Sequence, residues 1–177
     1  MDLWKDLPVG KNPPEDIFVV VEIPKGSRNK FEFDHDLNVF KLDRVLYSPF
    51  YYDWGDYGLI PKTFCEDGDP GDAFVLMERP TFPGCVIEAR PIGLMEMVDS
   101  GDPDSKIISV PVEDPRYGNV KDIKDLPPHL LKEIEHFFTH YKDLQGKKVE
   151  VKSWKGAEEA KKWIKKAMKL YQEKFGE

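Results

Sequence analysis

The hydrophobic pattern of this chain changes its period once, shortly after residue 114. Before that point, short runs rich in β-branched and aromatic residues alternate with turns rich in glycine, proline and aspartate, and they predict strands at 17–23, 30–34, 38–46, 73–77, 85–99 and 106–112. Beyond it, apolar residues recur at three- and four-residue steps, which predicts one helix from Pro128 to Gly146 and another over 157–175, separated by a last strand at 148–154. The chain is therefore expected to be α+β, with a mostly antiparallel β core and with its helices gathered toward the C-terminus.

Length and charge limit the classes of protein that remain. A chain of 177 residues suits one domain with a sizeable core, so 1–177 is expected to be a single domain in which residues 1–15, with three prolines, form an irregular arm. The formal charge of −7 disfavours a nucleic-acid or acidic-membrane partner, because binding their phosphates needs a basic face. No leader-like or membrane-spanning run is visible, and Cys65 and Cys85 lack metal-ligand spacing. A cytoplasmic protein with two free thiols is expected.

The acidic segment at residues 66–72, with the sequence EDGDPGD, concentrates the candidate chemistry. Pro70 and two glycines predict a tight loop, and a buried strand follows it. Asp67, Asp69 and Asp72 would repel one another unless a cation lay between them, and oxygen ligands without histidine or thiolate suit Mg²⁺, Mn²⁺ or Ca²⁺ better than zinc. On this segment alone a solvated acidic turn stays equally open. An EF-hand is rejected, because Asp72 stands where its loop needs glycine and a strand follows in place of a helix.

A second acidic segment, DSGDPDSK at residues 99–106, repeats the arrangement of the first. It contributes Asp99 and Asp104 and ends in Lys106 at the start of a predicted strand. Two such loops, each joined to a strand, favour a shared metal site more than either does alone.

Aromatic residues are dense at positions 47–58, where a core or interface role is the ordinary interpretation, although tyrosine hydroxyls near an acidic loop can also bind an anion. His136 and His140 lie four residues apart on a predicted helix and could chelate a metal. They lack the neighbouring glutamate of the HExxH zinc motif, so a solvated or subunit-interface pair is favoured.

Taken together, these motifs resemble the soluble family I inorganic pyrophosphatases of the prokaryotic type. The resemblance covers residues 17–175 and rests on EIP at 22–24, KFE at 30–32, LDR at 42–44, DYG at 56–58, DGDPGD at 67–72, RPIG at 90–93 and HFFTHYK at 136–142. It implies a small closed OB-like β-barrel of five strands with two main helices near the C-terminus. It also implies Mg²⁺-dependent hydrolysis of pyrophosphate to two orthophosphates by a homohexamer, with His136 and His140 at a subunit contact.

The resemblance also implies roles for individual residues. Asp69 matches the general base, and the metal ligands comprise Asp67, Asp72 and Asp104, with Asp99 holding a further Mg²⁺ carried by the substrate. Glu22 and Glu32 match acidic positions of the outer shell or of the substrate-associated metals. The positions that grip phosphate are Lys30, Arg44, Tyr57, Lys106, Tyr141 and Lys142. Several Mg²⁺ ions are expected in each active site, with Mn²⁺ or Zn²⁺ as possible substitutes.

The sequence departs from the family pattern in two places. The residue after Pro70 is usually a large aliphatic or aromatic one, and here it is Gly71, which removes an anchoring side chain and is expected to loosen the loop. The aromatic segment at 51–58 is one residue longer than in the family and lacks its proline, so either Tyr52 or Tyr51 matches the first family tyrosine.

Three other functions share part of this pattern. A two-metal phosphodiesterase or nuclease would need a basic track for a polymer backbone, which the charge of −7 does not supply. An OB-type oligonucleotide binder could stack bases on the aromatic cluster, but carboxylates at its mouth would repel the strand. A structural Ca²⁺ module would not need lysines and arginines beside the acids.

Overall fold

The computed structural model describes residues 1–176, and within them the chain forms nine strands and two α-helices. Short 3₁₀ turns lie at Pro115–Tyr117, Ile123–Asp125 and Asp143–Gln145. In chain order the elements are β1 (Ile17–Ile23), β2 (Asn29–Asp34), β3 (Val39–Val45), β4 (Gly55–Ile60), β5 (Gly71–Leu76), β6 (Val86–Asp99), β7 (Asp102–Pro103), β8 (Lys106–Pro111), α1 (Pro128–His140), β9 (Val149–Gly156) and α2 (Ala157–Phe175).

Five strands close into a ring. Their order is β1-β4-β5-β8-β6, and β6 pairs back onto β1 to complete the ring. Every pair in it is antiparallel except β5 with β8, which is parallel. Strands β2 and β3 form a separate hairpin, and β9 extends the sheet from β6. The expected α+β barrel with two helices toward the C-terminus is confirmed.

The longest strand closes the ring because it bends. β6 has 14 residues, and its register against β8 shifts between Pro91 and Gly93, where the sequence predicts a bulge. Its first half pairs with β1 and its second half pairs with β9. One strand therefore serves both the barrel and the extension that supports α1.

Both faces of the barrel wall are buried, as β5 shows. Ala73 and Val75 belong to a cluster with Ile164 of α2, whereas Phe74 packs in a second cluster with Phe137 of α1. This explains the near-continuous apolar run of the strand, since neither of its faces meets solvent. No helix in the described part of the chain is long and apolar enough to cross a membrane.

The N-terminal arm consists of turns, without helix or strand in residues 1–16. Its Trp4 is buried, and the indole Nε1–H donates a hydrogen bond of 2.8 Å to the carbonyl oxygen of Thr63. The same indole meets the ring of Tyr171 edge-on, with 6.0 Å between centroids. The arm is thus fastened to the segment that leads into the first acidic loop.

Strand β4 was not predicted from the sequence, because Gly55 and Gly58 lower its β-propensity. The barrel explains the second glycine: a Cβ at residue 58 would lie 1.9 Å from the carbonyl oxygen of Val20 on β1. Only glycine allows the two backbones to approach this closely.

Helix α1 ends earlier than the sequence predicts. It stops at His140, and Leu144, which the periodicity assigned to the apolar stripe, is 68% exposed in the following 3₁₀ turn. Gly146 ends that turn in the left-handed conformation, with φ 69°. The prediction was wrong because the apolar period continues by coincidence after the chain has turned away from the core.

Candidate active site

The parallel pairing of β5 with β8 brings the two acidic loops together. Asp72 of β5 is the register partner of Lys106 of β8. Each acidic loop immediately precedes its strand, and parallel neighbours begin at the same edge of a sheet, so both loops lie at one end of the barrel. Asp72 and Lys106, 34 residues apart in the sequence, therefore lie in one site.

A cavity of about 720 Å³ opens at this end of the barrel. Of the site residues predicted from the sequence, only Arg44 and Tyr51 do not line it. The predicted residues in its wall are Glu22, Lys30, Glu32, Tyr52, Tyr57, Asp67, Asp69, Asp72, Asp99, Asp104, Lys106, Tyr141 and Lys142.

Lys106 is the charged centre of the cavity floor. Its side chain is 4% exposed, and its Nζ donates hydrogen bonds of 2.6 Å to Asp72 Oδ2 and 2.6 Å to Asp104 Oδ1. Burial opposes its charge, but the two carboxylates prevail and raise the pKa of Lys106 well above its ordinary value. Among residues 1–176 no three His, Cys, Asp or Glu side chains stand close enough to form a ready-made metal site. The Lys106 ammonium lies between two of the candidate carboxylates.

The first acidic loop is held in shape by its own hydrogen bonds. The amide of Asp69 donates to Asp67 Oδ1 at 3.0 Å, and the amide of Cys65 donates to the carbonyl oxygen of Asp69 at 2.8 Å. Gly68 supplies the left-handed turn between them. Burial and then repulsion from nearby carboxylates raise the pKa values of both Asp67 and Asp69. A cation bound between these carboxylates would relieve their mutual repulsion.

The second acidic loop meets the end of α1. The ammonium of Lys142 forms an ion pair with Asp99 Oδ2, and Tyr141, which directly follows the last residue of α1, is buried beside it. Burial alone would raise the pKa of Asp99, but the hydrogen bond from Lys142 lowers it. Burial also lowers the pKa of Lys142 itself. The early end of α1 places both residues over the cavity.

The β2–β3 hairpin contributes the opposite wall. Lys30 on β2 pairs with Glu32 and Asp43, and its register partner on β3 is Arg44. Arg44 lies behind the cavity lining, with Nη1 donating to Asp43 Oδ2 at 2.6 Å. Its Nε is buried and has no hydrogen-bond partner within residues 1–176, so it remains a donor for an anion.

Glu22, from β1, also lines the cavity. Its Oε1 accepts a hydrogen bond of 2.8 Å from the amide of Phe33. Burial, reinforced by the charge of Asp72, raises the pKa of Glu22 to about 8 despite that hydrogen bond. The group is thus poised to carry a proton near neutral pH.

The lengthened aromatic segment places its two adjacent tyrosines differently. Tyr52 is 2% exposed and lies in the cavity wall, with its ring 5.7 Å from that of Tyr57. Tyr51 is 45% exposed and faces a different groove, where the guanidinium of Arg28 lies 6.0 Å from its ring centroid. Of the two candidates for the first family tyrosine, the geometry favours Tyr52.

Several residues of the cavity wall were missed in the sequence. Lys147 and Asp102 line it, as does the turn that begins at Asp34 and includes His35 and Asp36. Lys147 follows Gly146, where the sequence predicted the end of the helix, and Asp102 lies inside the second acidic segment. Both residues could therefore have been singled out from the sequence. The turn at residues 34–36 carried none, because only the hairpin geometry directs it toward the barrel.

The histidine pair on α1 lies outside this cavity. The rings of His136 and His140 have centroids 4.5 Å apart, and His140 Nδ1 lies 2.8 Å from Asp143 Oδ2. Among the described residues no three His, Cys, Asp or Glu side chains are placed to hold a metal ion. The role of the pair stays a prediction.

Comparison with known proteins decides the family. The family model described as "Inorganic pyrophosphatase" matches residues 19–172. A protein of that name from Picrophilus torridus is 50% identical over 97% of this chain and 96% of its own length, and one from Haloferax volcanii is 51% identical over 99% of both. The chain belongs to the inorganic pyrophosphatase family. The predicted enzyme class is thereby confirmed.

The fold of the inorganic pyrophosphatases matches the present one throughout. The crystal structure of the inorganic pyrophosphatase from Thermus thermophilus superposes with a TM-score of 0.93 at 43% identity, covering 97% of this chain and 99% of that chain. The barrel, the two helices and the end of the barrel where the acidic loops meet are thus features of a shared fold.

Proposed function

We propose that residues 1–177 act as a single domain that hydrolyses pyrophosphate to two orthophosphates with the aid of Mg²⁺. The observation that carries this proposal is that carboxylates and lysines line one cavity. The carboxylates come from the two acidic loops, and the lysines come from the hairpin, from the start of β8 and from the segment after α1. An acidic protein can bind an anion in this way, because its acids hold metal and its bases hold phosphate.

Asp67, Asp72 and Asp104 would hold the metal, with Asp99, Glu22 and Glu32 nearer the metal bound to substrate. The donor set fits a hard cation, since these carboxylates offer only oxygen and the described cavity wall contains no thiolate. Charge supports the fit: Asp72 and Asp104 share one ammonium, and burial together with repulsion from these two carboxylates raises the pKa of Asp67. Bound metal would supply acidification of a water molecule and neutralisation of phosphate charge.

Asp69 is the proposed general base. Burial, reinforced by the neighbouring carboxylates, raises the pKa of Asp69 and makes it a better proton acceptor than an isolated aspartate. As the water oxygen attacks one phosphorus, its proton passes to Asp69. The bond between that phosphorus and the bridging oxygen breaks, and the leaving phosphate retains the electron pair.

The cationic and phenolic groups would stabilise the phosphates. Lys30, Lys106 and Lys142 reach the cavity from three different elements, and the free Nε of Arg44 lies behind them. Tyr57 and Tyr141 keep their hydroxyl protons, because burial raises both pKa values, and they can donate hydrogen bonds to phosphate oxygens. Such fixed donors act most strongly where water is excluded.

Phosphate release under three conditions tests the proposal. The purified protein is incubated with pyrophosphate in Mg²⁺, in Ca²⁺ and in EDTA, and orthophosphate is measured. We expect turnover in Mg²⁺ and a strong loss in Ca²⁺, whose larger radius and looser geometry misplace the attacking water. A phosphodiester substrate serves as the control and should not be cleaved. Equal rates in Mg²⁺ and EDTA, or cleavage of the diester alone, would rule the proposal out.

We further propose a cytoplasmic homohexamer with α1 at a subunit contact. The free thiols Cys65 and Cys85 suit a reducing compartment, and exposed His136 stands beside Phe50 on the outer surface of α1. Acidification charges histidines that face one another across an interface and should loosen it. Light scattering across a pH series measures this, and a mass that does not change with pH would count against the contact.

A further inference from the structure

Gly71 makes room for a tryptophan. It is the first residue of β5, directly before Asp72, and its φ lies outside the left-handed region, so the backbone does not require glycine here. A Cβ at residue 71 would lie 2.8 Å from Cη2 and 2.9 Å from Cζ3 of the Trp163 indole. Carbon atoms pack at about 3.5–4.0 Å, so a side chain at residue 71 and the indole in its present position exclude each other.

The other side of Gly71 is fixed by hydrogen bonds. Its amide donates to Thr63 Oγ1 at 2.8 Å, and that buried hydroxyl donates to the carbonyl oxygen of Ile60 at 2.7 Å. The two atoms nearest to the missing Cβ of Gly71 are carbon atoms of the Trp163 ring, and the next is Thr63 Oγ1 at 3.2 Å. The end of the acidic loop is therefore held between a polar anchor and one aromatic ring.

Trp163 stands on the far side of the acidic loops from the candidate active site. It lines a cavity of about 630 Å³ between α2 and the two loops, and this cavity shares Asp67, Asp72 and Asp104 with the catalytic one. On α2 the next residue, Ile164, is fully buried, so the helix itself is firmly seated. The indole thus connects α2 to the start of β5, directly beside Asp72.

We propose that Trp163 is a positioning residue for the metal-binding carboxylates, and that its indole replaces the side chain that Gly71 lacks. It keeps the start of β5 pressed against Thr63, which sets the position of Asp72 and the shape of the loop at residues 65–70. This proposal rests on the metal-dependent function proposed for the same loop. Groups that orient metal ligands without touching the metal commonly change metal affinity by about 10- to 100-fold when removed.

Four variants test the exchange of volume: Trp163→Ala, Trp163→Phe, Gly71→Val and the double variant Trp163→Ala/Gly71→Val. Mg²⁺ binding is measured by calorimetry, and exchange of the loop amides at 65–71 is measured by hydrogen–deuterium exchange without metal. Trp163→Ala should weaken Mg²⁺ binding about tenfold or more and speed exchange of the loop amides. Trp163→Phe should retain most of both properties, because it keeps a ring at this position.

The double variant gives the sharpest result. Gly71→Val alone should also weaken Mg²⁺ binding, because valine and the indole collide. In the double variant the valine fills the space from the strand side, so Mg²⁺ affinity and loop protection should return toward wild type. Trp154→Ala is the matched control: it removes a half-buried tryptophan on β9 that does not line either cavity, and it should leave Mg²⁺ affinity and the loop amides unchanged.

The positioning role would be overturned if Trp163→Ala kept the wild-type loop exchange and Mg²⁺ affinity. It would also be overturned if the double variant bound Mg²⁺ and protected the loop amides no better than either single variant. A wild-type protein without pyrophosphate hydrolysis would instead overturn the proposed function. The exchange measurement still decides the role of Trp163 in that case, because it needs neither metal nor turnover.

Discussion

Replacing Lys106 with methionine removes the one ammonium that Asp72 and Asp104 share. Each N–O distance is 2.6 Å, so with an effective dielectric constant of about 20 each contact contributes about 6 kcal/mol of attraction. Desolvation of the buried ammonium opposes that attraction by several kcal/mol, and removal of one partner from a buried pair costs about 3–5 kcal/mol overall. The carboxylate side chains are 28% and 23% exposed, so water relieves part of the cost and we expect about 3 kcal/mol.

A loss of about 3 kcal/mol corresponds to a fall of roughly 6–12 °C in melting temperature for a chain of this size. Calorimetry in EDTA measures it. Added Mg²⁺ should then raise the melting temperature of Lys106→Met more than that of wild type, because the cation no longer competes with an ammonium for the two carboxylates. Turnover should nevertheless stay low, since Lys106 is also proposed to bind phosphate.

Lys161→Met is the matched control for this experiment. Its ammonium pairs with Glu15 at 2.8 Å on the surface of α2, where an ion pair contributes about 0–1 kcal/mol. We expect little change in its melting temperature with or without Mg²⁺. The competition between ammonium and metal would be refuted if Lys106→Met and the wild type had the same melting temperature in EDTA. It would also be refuted if Mg²⁺ raised the melting temperature of Lys106→Met no more than that of the wild type.

Three further substitutions follow from the same site. Asp69→Asn should keep Mg²⁺ binding by calorimetry but lose about 10²–10⁴-fold in turnover, and unaltered turnover would remove Asp69 from the role of base. Asp72→Ala should raise the Mg²⁺ concentration needed for activity, which an unchanged Mg²⁺ titration would contradict. In EDTA the pKa of Glu22 is about 8 in the folded protein and about 4.5 in the unfolded chain. Between these values the unfolded chain has lost the proton and the folded protein has kept it, so the free energy of unfolding falls as the pH rises from about 4.5 to 8. Glu22→Gln should flatten that fall between pH 6 and pH 8 in thermal melts, and a slope equal to that of wild type would show that Glu22 does not cause it.

Local patterns in the sequence predicted most of the secondary structure, because both helices and most strands carry their own periodicity. The strand at Ile17–Ile23 and the helix at Ala157–Phe175 have the predicted bounds. The missed strand β4 and the early end of α1 depend on contacts distant in sequence. Gly58 is required by the close approach of Val20, and Leu144 lies exposed beyond the point where the chain turns.

The sequence indicated most residues that line the candidate site, but it did not indicate how the strands bring them together. The acidic loops and their flanking lysines were visible as motifs, whereas the parallel pairing of Asp72 with Lys106 was not, because the sequence indicated a mostly antiparallel sheet. The choice between Tyr51 and Tyr52 also needed the fold. Gly71 was the clearest example: alone it suggested a loosened loop, and only the position of Trp163 shows what occupies the space.

A crystal structure grown with Mn²⁺ and phosphate tests the central claim most directly, because the anomalous signal of manganese locates the metal without assumption. We expect anomalous peaks from manganese ions that are coordinated by Asp67, Asp72 and Asp104. The Lys106 ammonium should be turned away from the carboxylates and toward a phosphate oxygen. A cavity without manganese, in which Lys106 still joins Asp72 to Asp104, would contradict it.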